Sequence, residues 1–316
     1  SFFGAAAAPP WFSWLADIIP ERIHGSFMGR RDAWISIITL MVVLPASYCL
    51  DLVYEDFKPN VLAIIFAVGI LVGMLDLFLH RRIPEPPARS DVKGHFLELV
   101  LEPVRDPNYR YWLFFSTLWN FSMMLGFGLC TVFFVEDLRL RDHFLGGATV
   151  LIAIPLMGTM LTSAWSGTLI DRLGVKRVLI FSYFLWALQP IFWIVATPAT
   201  AIFWLALCFA VGGASSAAAL NAGNKLMTRV PPPGHRTMYI AVTGCLSNLS
   251  GGLGPLAGGW FIEAFQNSRW TLWGVDYVPF HMVFAASLVL RLVVWLMLFW
   301  LNTPNFDMGK DSSSII

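Results

Sequence analysis

The chain has 316 residues, of which 57% are apolar and only 13% charged, and its mean hydropathy is +0.66. An average soluble domain is about one-quarter charged, so a water-soluble globule is excluded. A formal net charge of +1 gives no electrostatic basis for binding nucleic acid, which is not expected as a partner.

In chain order, the first apolar stretch is Phe2 to Ala16, too short to cross a ~30 Å hydrocarbon layer alone. Eight longer runs follow: Ala33 to Leu50, Val61 to Leu79, Tyr111 to Val135, Phe144 to Ile170, Val178 to Thr197, Ala199 to Gly223, Thr237 to Ile262 and Val278 to Leu301. A cleavable signal peptide would account for one such run, not for eight. Lipid admits only helices and closed barrels, and none of the runs alternates as a barrel strand does, so all are expected to be helices. The fold class is therefore all-α, a polytopic membrane bundle of about eight complete helices and a partial N-terminal one.

Cys49, Cys130, Cys208 and Cys245 fall inside these spans and never pair as CxxC, so they read as small core residues, with no metal site and no disulfide framework. Taking alternate connections, one set of loops carries fifteen Lys and Arg residues and the other four. The positive-inside rule assigns the richer set to the cytoplasm, and with it the C-terminal tail. Trp34, Trp112, Trp204 and Trp300 lie near span ends, where amphipathic rings favour the headgroup layer.

An internal repeat organises the chain. The segment from Gly4 through Pro20 to Met28 resembles that from Ser215 through Pro231 to Tyr239, at an offset of 211 residues. Each copy ends a small-residue helix, turns through a Pro-containing basic loop and opens the next helix. A six-helix unit used twice follows, with the two copies marking the fourth helix of each half. In that frame residues 1–80 are the remnant of an N-terminal half (end of helix four, helices five and six). Residues 81–110 form a cytoplasmic linker, 111–302 are helices seven to twelve and 303–316 a cytoplasmic tail. Three and a half helices are expected upstream. Within the linker, Phe96, Leu99 and Val100 at helical spacing among charged residues predict an interfacial amphipathic helix after Pro84, Pro86 and Pro87.

Between the eighth and ninth helices lies Gly167-Thr-Leu169-Ile-Asp171-Arg172-Leu-Gly174-Val-Lys176-Arg177. Gly167 permits close helix contact and Gly174 a turn with positive φ. The carboxylate of Asp171 suits the N-terminus of a neighbouring helix, and Arg172, Lys176 and Arg177 suit headgroups or a partner carboxylate. This segment resembles the GxLxDRxGxxx signature of the major facilitator superfamily, matching it at Gly167, Leu169, Asp171, Arg172, Gly174, Lys176 and Arg177. The resemblance implies that Asp171 meets the start of the fifth helix, near Gly29 to Trp34, as a latch on an outward-facing state. An ordinary basic loop with a salt bridge is the plainer alternative.

The eleventh helix carries Gly251-Gly-Leu-Gly254-Pro255-Leu-Ala-Gly258-Gly259, similar to the GPxxGG pattern that marks proton-coupled exporters of the family when it lies in the fifth helix. Here the fifth helix, Trp34 to Leu50, has no glycine, so the exporter assignment does not transfer. What remains is a helix-packing role for Gly254, Pro255, Gly258 and Gly259.

Polar side chains inside spans tend to face a cavity or a partner helix. Asn120, Gln189, Asn221, Asn224 and Asn248 are the neutral ones. By resemblance Asn120, Asn221 and Asn248 are candidates for the substrate cavity, with Trp119 as an aromatic wall; an interhelical hydrogen bond explains each asparagine equally well. Arg291 is expected in a structural pair or at lipid headgroups, Asp76 in a local ion pair near His80, and Lys225 and Arg229 as caps of the tenth helix.

The leading functional expectation is alternating-access transport of a small solute by a monomer in the lipid bilayer, driven by a proton or sodium gradient. No cofactor is implied, and no GxxxxGK[ST] loop for a nucleotide is present. A membrane-embedded enzyme would need a catalytic cluster, and neither HExxH nor GxSxG occurs. A non-transporting scaffold, receptor or inactive fragment is the third class.

Overall fold

The computed structural model describes residues 2–20, 23–83, 95–139, 153–232, 234–266, 270–272 and 275–301. Within them the chain forms eleven helices: α1 (Phe2–Ile18), α2 (His24–Leu52), α3 (Lys58–His80), α4 (Phe96–Arg105), α5 (Arg110–Glu136), α6 (Ile154–Leu173), α7 (Val175–Ala187), α8 (Gln189–Val195), α9 (Ala201–Arg229), α10 (Arg236–Ala264) and α11 (Pro279–Leu296). A two-stranded antiparallel hairpin, β1 (Trp270–Leu272) and β2 (Val275–Tyr277), joins α10 to α11. The first part of the expected run from Phe144, the prolines at 84, 86 and 87, and the tail from residue 302 lie outside the described residues.

The apolar runs find the helices but misplace several ends. α2 opens at His24, well before Ala33, because its first turns are polar yet packed against other helices. The expected ninth helix is two helices, α7 and α8, broken at Leu188. The repeat is visible in the helix ends: α1 stops at Ile18 and α9 at Arg229, 211 residues apart, and α2 and α10 open just beyond.

Two apolar cores run through α5 to α11. One gathers Trp112, Phe115, Trp119, Tyr183 and Tyr239 towards the face that carries the Arg- and Lys-rich loops, here called the basic face. The other packs Phe133, Phe134, Trp193, Phe209 and Phe284 towards the opposite face. Trp112 thus sits in a core rather than at a headgroup layer, whereas Trp34 and Trp300 are exposed. Cys130 and Cys208 are buried as expected of small core residues; Cys49 and Cys245 are exposed, and all four are free thiols. No residue of α3 is buried, although it carries apolar side chains on every face. In water that surface would be untenable, whereas apolar surroundings tolerate it.

Arg291 is fully buried near the middle of α11. Its guanidinium donates from Nη1 to the carbonyl of Trp186 at 3.3 Å and from Nη2 to that of Met123 at 3.1 Å, and lies 5.4 Å from the Trp193 ring. Pro190 has no N–H, so the helical hydrogen bond that Trp186 would receive from residue 190 cannot form. The arginine supplies a donor there and ties α11 to α5, α7 and α8. Among the described residues it makes no ion pair with a carboxylate and does not reach the headgroup layer, contrary to expectation.

The glycines of α10 divide by face. A Cβ on Gly254 would come within 2.7 Å of the Leu125 backbone nitrogen, and one on Gly258 within 2.8 Å of the Leu125 carbonyl oxygen. Pro255 presses on Gly128 of α5 from the same side. Gly259, expected in this packing face, is turned off it by one helical step and has nothing within 4 Å of a built Cβ, as is also true of Gly252. Gly254→Ala is therefore expected to destabilise the protein by about 1–3 kcal/mol through backbone collision. Gly259→Ala should be neutral or stabilising by up to about 1 kcal/mol through helix propensity. Thermal unfolding of the two purified variants distinguishes these outcomes.

Candidate functional site

A polar contact between distant parts of the chain forms at the basic face, where α6 meets the start of α2. Three glycines bring the backbones together. A Cβ on Gly167 would lie 2.2 Å from the Gly25 carbonyl oxygen, and one on Gly29 would lie 2.2 Å from that of Ser163. One on Gly25 would strike the Asp171 carboxylate at 2.7 Å. Only hydrogen at these positions allows such an approach, as is common where membrane helices pack without a hydrophobic drive between them.

That approach sets Asp171 against the first turn of α2. Its Oδ2 accepts the backbone N–H of Ser26 at 2.9 Å, one of the four donors that a helix start leaves unpaired. Its Oδ1 accepts from Lys225 Nζ at 2.8 Å, and both side chains are largely buried, at 16% and 10% exposed. The contact is lower on α2 than Gly29 to Trp34 because the helix begins earlier. Gly174, at φ +87°, is the single residue between α6 and α7, and this turn fixes the level of Asp171. Leu169 packs on the first core, and Lys176 Nζ donates to the Phe299 carbonyl at 3.0 Å. Arg172 and Arg177 are exposed.

The repeated turns lie against each other beside this contact. Arg229 donates from Nη2 to the Ile19 carbonyl at 2.7 Å, and Arg236 Nη1 pairs with Asp17 at 2.7 Å. His24 is fully buried between them, with Thr228 Oγ1 at 3.5 Å and Arg229 Nη2 at 3.4 Å. Lys225 and Arg229 were expected to cap their own helix. They reach across to Asp171 and Ile19 instead, since a buried carboxylate and a helix-end carbonyl from another segment need those donors more than a terminus open to water does. Nearby, α4 is moored to α10 by Glu102 with His235 and by Asp106, which accepts from the Tyr239 hydroxyl at 3.1 Å.

A cavity of about 260 Å³ lies further from this face, bounded by α5, α6, α7, α8 and α9. Its polar lining is Thr159, Gln189 and Ser216; Met123, Phe127 and Trp186 supply apolar wall. None of the four expected cavity residues lines it. Trp119 is buried among Phe115, Tyr183 and Trp186. Asn120 donates to the Ser116 carbonyl of its own helix, and Asn221 is buried and donates to Ser166 Oγ across α9 and α6. Asn248 is exposed on α10. Gln189 was visible as a polar residue in a span, but its place depends on the helix break and on Gly212, whose built Cβ would fall 1.9 Å from Gln189 Nε2. Among the described residues no three of His, Cys, Asp and Glu are grouped to hold a metal ion.

His24 precedes the apolar part of α2, and its pKa is lowered from 6.5 to about 4, first by burial and then by the charges of Arg229 and Lys225, with Arg236 adding to and Asp171 opposing the shift. A base with a depressed folded pKa is neutral in the packed state and takes up a proton when released. The contact is thus at full strength above pH 6.5 and weakens as pH falls towards 4. Melting temperature should drop across that window, and His24→Gln should flatten the drop; an unchanged profile in the variant would assign it elsewhere.

No curated protein matches the chain. Among solved structures it is similar to a bacterial homologue of the iron transporter ferroportin in an outward-facing state, with a TM-score of 0.63 and 13% identity over 90% of this chain and 66% of that one. It is also similar to FucP, a Major Facilitator Superfamily transporter in the outward conformation, with a TM-score of 0.57 and 15% identity over 94% of this chain and 72% of that one. The chain thus spans slightly less than two-thirds of the ferroportin homologue, and at these identities the likeness is one of fold. The family model described as Major Facilitator Superfamily matches residues 145–314, more than half of the 316. On that match, and on a helical bundle shared with two transporters, the chain belongs to the Major Facilitator Superfamily.

Proposed function

We propose that the protein moves a small solute across the membrane by alternating access, and that the Asp171 contact is the latch of its outward-facing state. The basic face is the cytoplasmic one in this reading. One observation carries it: a carboxylate on α6 accepts a hydrogen bond from the opening turn of α2, 145 residues away, while paired with Lys225 on α9. Such a contact holds two groups of helices together at one face and leaves the other free to separate. It is supported by the burial pattern of α2, whose described buried residues all lie between His24 and Ser36. Both similar transporter structures are outward-facing, which agrees with closure at this side.

In the same reading residues up to His80 belong to one six-helix half and those from Arg110 to the other, with α4 on the linker between them. The solute is proposed to bind near Gln189, Thr159 and Ser216, neutral hydrogen-bonding groups beside an apolar and aromatic wall. Such a lining suits a small solute with both polar and apolar parts. The driving gradient, of protons or sodium, belongs to the proposal as well, as does action as a monomer.

The test is solute uptake into proteoliposomes by a preparation that includes any upstream helices. Asp171→Asn is expected to shift the closed-to-open balance by on the order of 3 kcal/mol, roughly a hundredfold, since it leaves a buried lysine without its partner. Uptake should fall while the protein still elutes as a folded species. Gln189→Ala should raise KM with less effect on maximal rate. Full uptake in Asp171→Asn would sink the latch, and absence of uptake for every solute class in the unaltered protein would favour a scaffold.

A further inference from the structure

A second cavity, of about 480 Å³, lies between α6, α7 and α9 and shares no lining residue with the solute cavity. Its floor is Ala214, Ser215 and Ala218 of α9, whose small side chains leave a channel where a larger residue would fill it. Trp165 and Phe181 wall it and are 66% and 65% exposed, so it opens sideways onto the lipid-facing surface. Thr162 adds one hydroxyl to the lining, and the three serine hydroxyls are already engaged. Ser166, Ser182 and Ser215 each donate to a carbonyl of their own helix. At the end nearest the basic face the lining changes character, for Arg177 closes it there, exposed and without an ion pair among the described residues.

A largely apolar cavity, flanked by exposed aromatic side chains and with a cation in its lining, has the chemical outline of one lipid molecule. We propose that it holds an acyl chain of an anionic phospholipid, whose phosphate rests against Arg177. The charge selects the headgroup, and the channel selects against a soluble anion, which would gain nothing from the apolar walls. The site rests on the chain lying in a membrane but not on transport, so it stands or falls separately from the solute reading. Its walls include Ser166 and Leu169, which flank Gly167 in the helix that carries Asp171. A bound chain therefore braces the latch helix from the side opposite α2.

The experiment is native mass spectrometry of the purified protein in mild detergent, with dioleoyl-phosphatidylglycerol, dioleoyl-phosphatidylcholine or glycerol 3-phosphate added. One phosphatidylglycerol should be retained with about a fivefold preference over phosphatidylcholine, the worth of one cation near a headgroup. Arg177→Gln, an exposed change that leaves packing intact, should abolish that preference. Ala218→Phe, which fills the channel, should reduce retention of both lipids. Equal retention of the two lipids by the unaltered protein, a preference that survives in Arg177→Gln, or glycerol 3-phosphate displacing the lipid at equal concentration would each overturn the proposal.

Discussion

A helix that starts inside a protein brings four backbone N–H groups with it, and some acceptor must meet them. At the start of α2 the glycine contact with α6 crowds Gly25, and the residue before the helix, Ile23, has no side-chain acceptor. Asp171 supplies the acceptor from another helix, and Lys225 balances the charge so created. Much else at the basic face follows from that arrangement. Gly25, Gly29 and Gly167 must lack side chains for the helices to approach, and Gly174 must turn at once for α7 to start without carrying Asp171 out of reach.

The residues of this contact were legible in different degrees. Gly167, Asp171 and Gly174 stood out through their resemblance to the family signature, and a turn, a close approach and an anion each give a reason for the residue type. The start of α2 was not legible, because hydropathy registers lipid contact and is blind to a polar helical turn buried against protein; Arg30, Arg31 and Asp32 lie in that stretch. Lys225 and Arg229 read as caps because their own helix end is the only partner that the sequence shows. The small-residue repeat fared better: an offset of 211 separates the ends of α1 and α9, whose local chemistry is the same.

Trp119, Asn120, Asn221 and Asn248 lie outside the cavity beside Gln189 for a related reason. Membrane helices are apolar on most faces, so composition does not say which face looks inward, and neighbours such as Trp119 and Asn120 point about 100° apart. The break near Leu188 shows the limit from another side. Arg291 was conspicuous as a charge in a span, but nothing in the linear order joins it on α11 to Pro190 on α8 as one compensated site. Only the fold brings the missing donor and the spare guanidinium together.

The two kinds of helix contact in this chain differ in a way that bears on motion. Within α5 to α11 the helices are held by aromatic clusters and by Arg291, whose separation would leave voids and unpaired groups in a dense interior. Between α2 and α6 the contact is glycine against glycine, finished by Asp171 with Lys225, and beside it Arg229 and Arg236 reach Ile19 and Asp17 at the end of α1. Lipid tails are as apolar as the side chains they would replace, so parting such helices exposes no apolar surface to water and costs chiefly the polar bonds at one end. An interface of that kind can be tight in one state and absent in another, whereas the clusters behind it are suited to move as a body. The polar groups are concentrated at one end of that contact, and water is a solvent that can take over their hydrogen bonds.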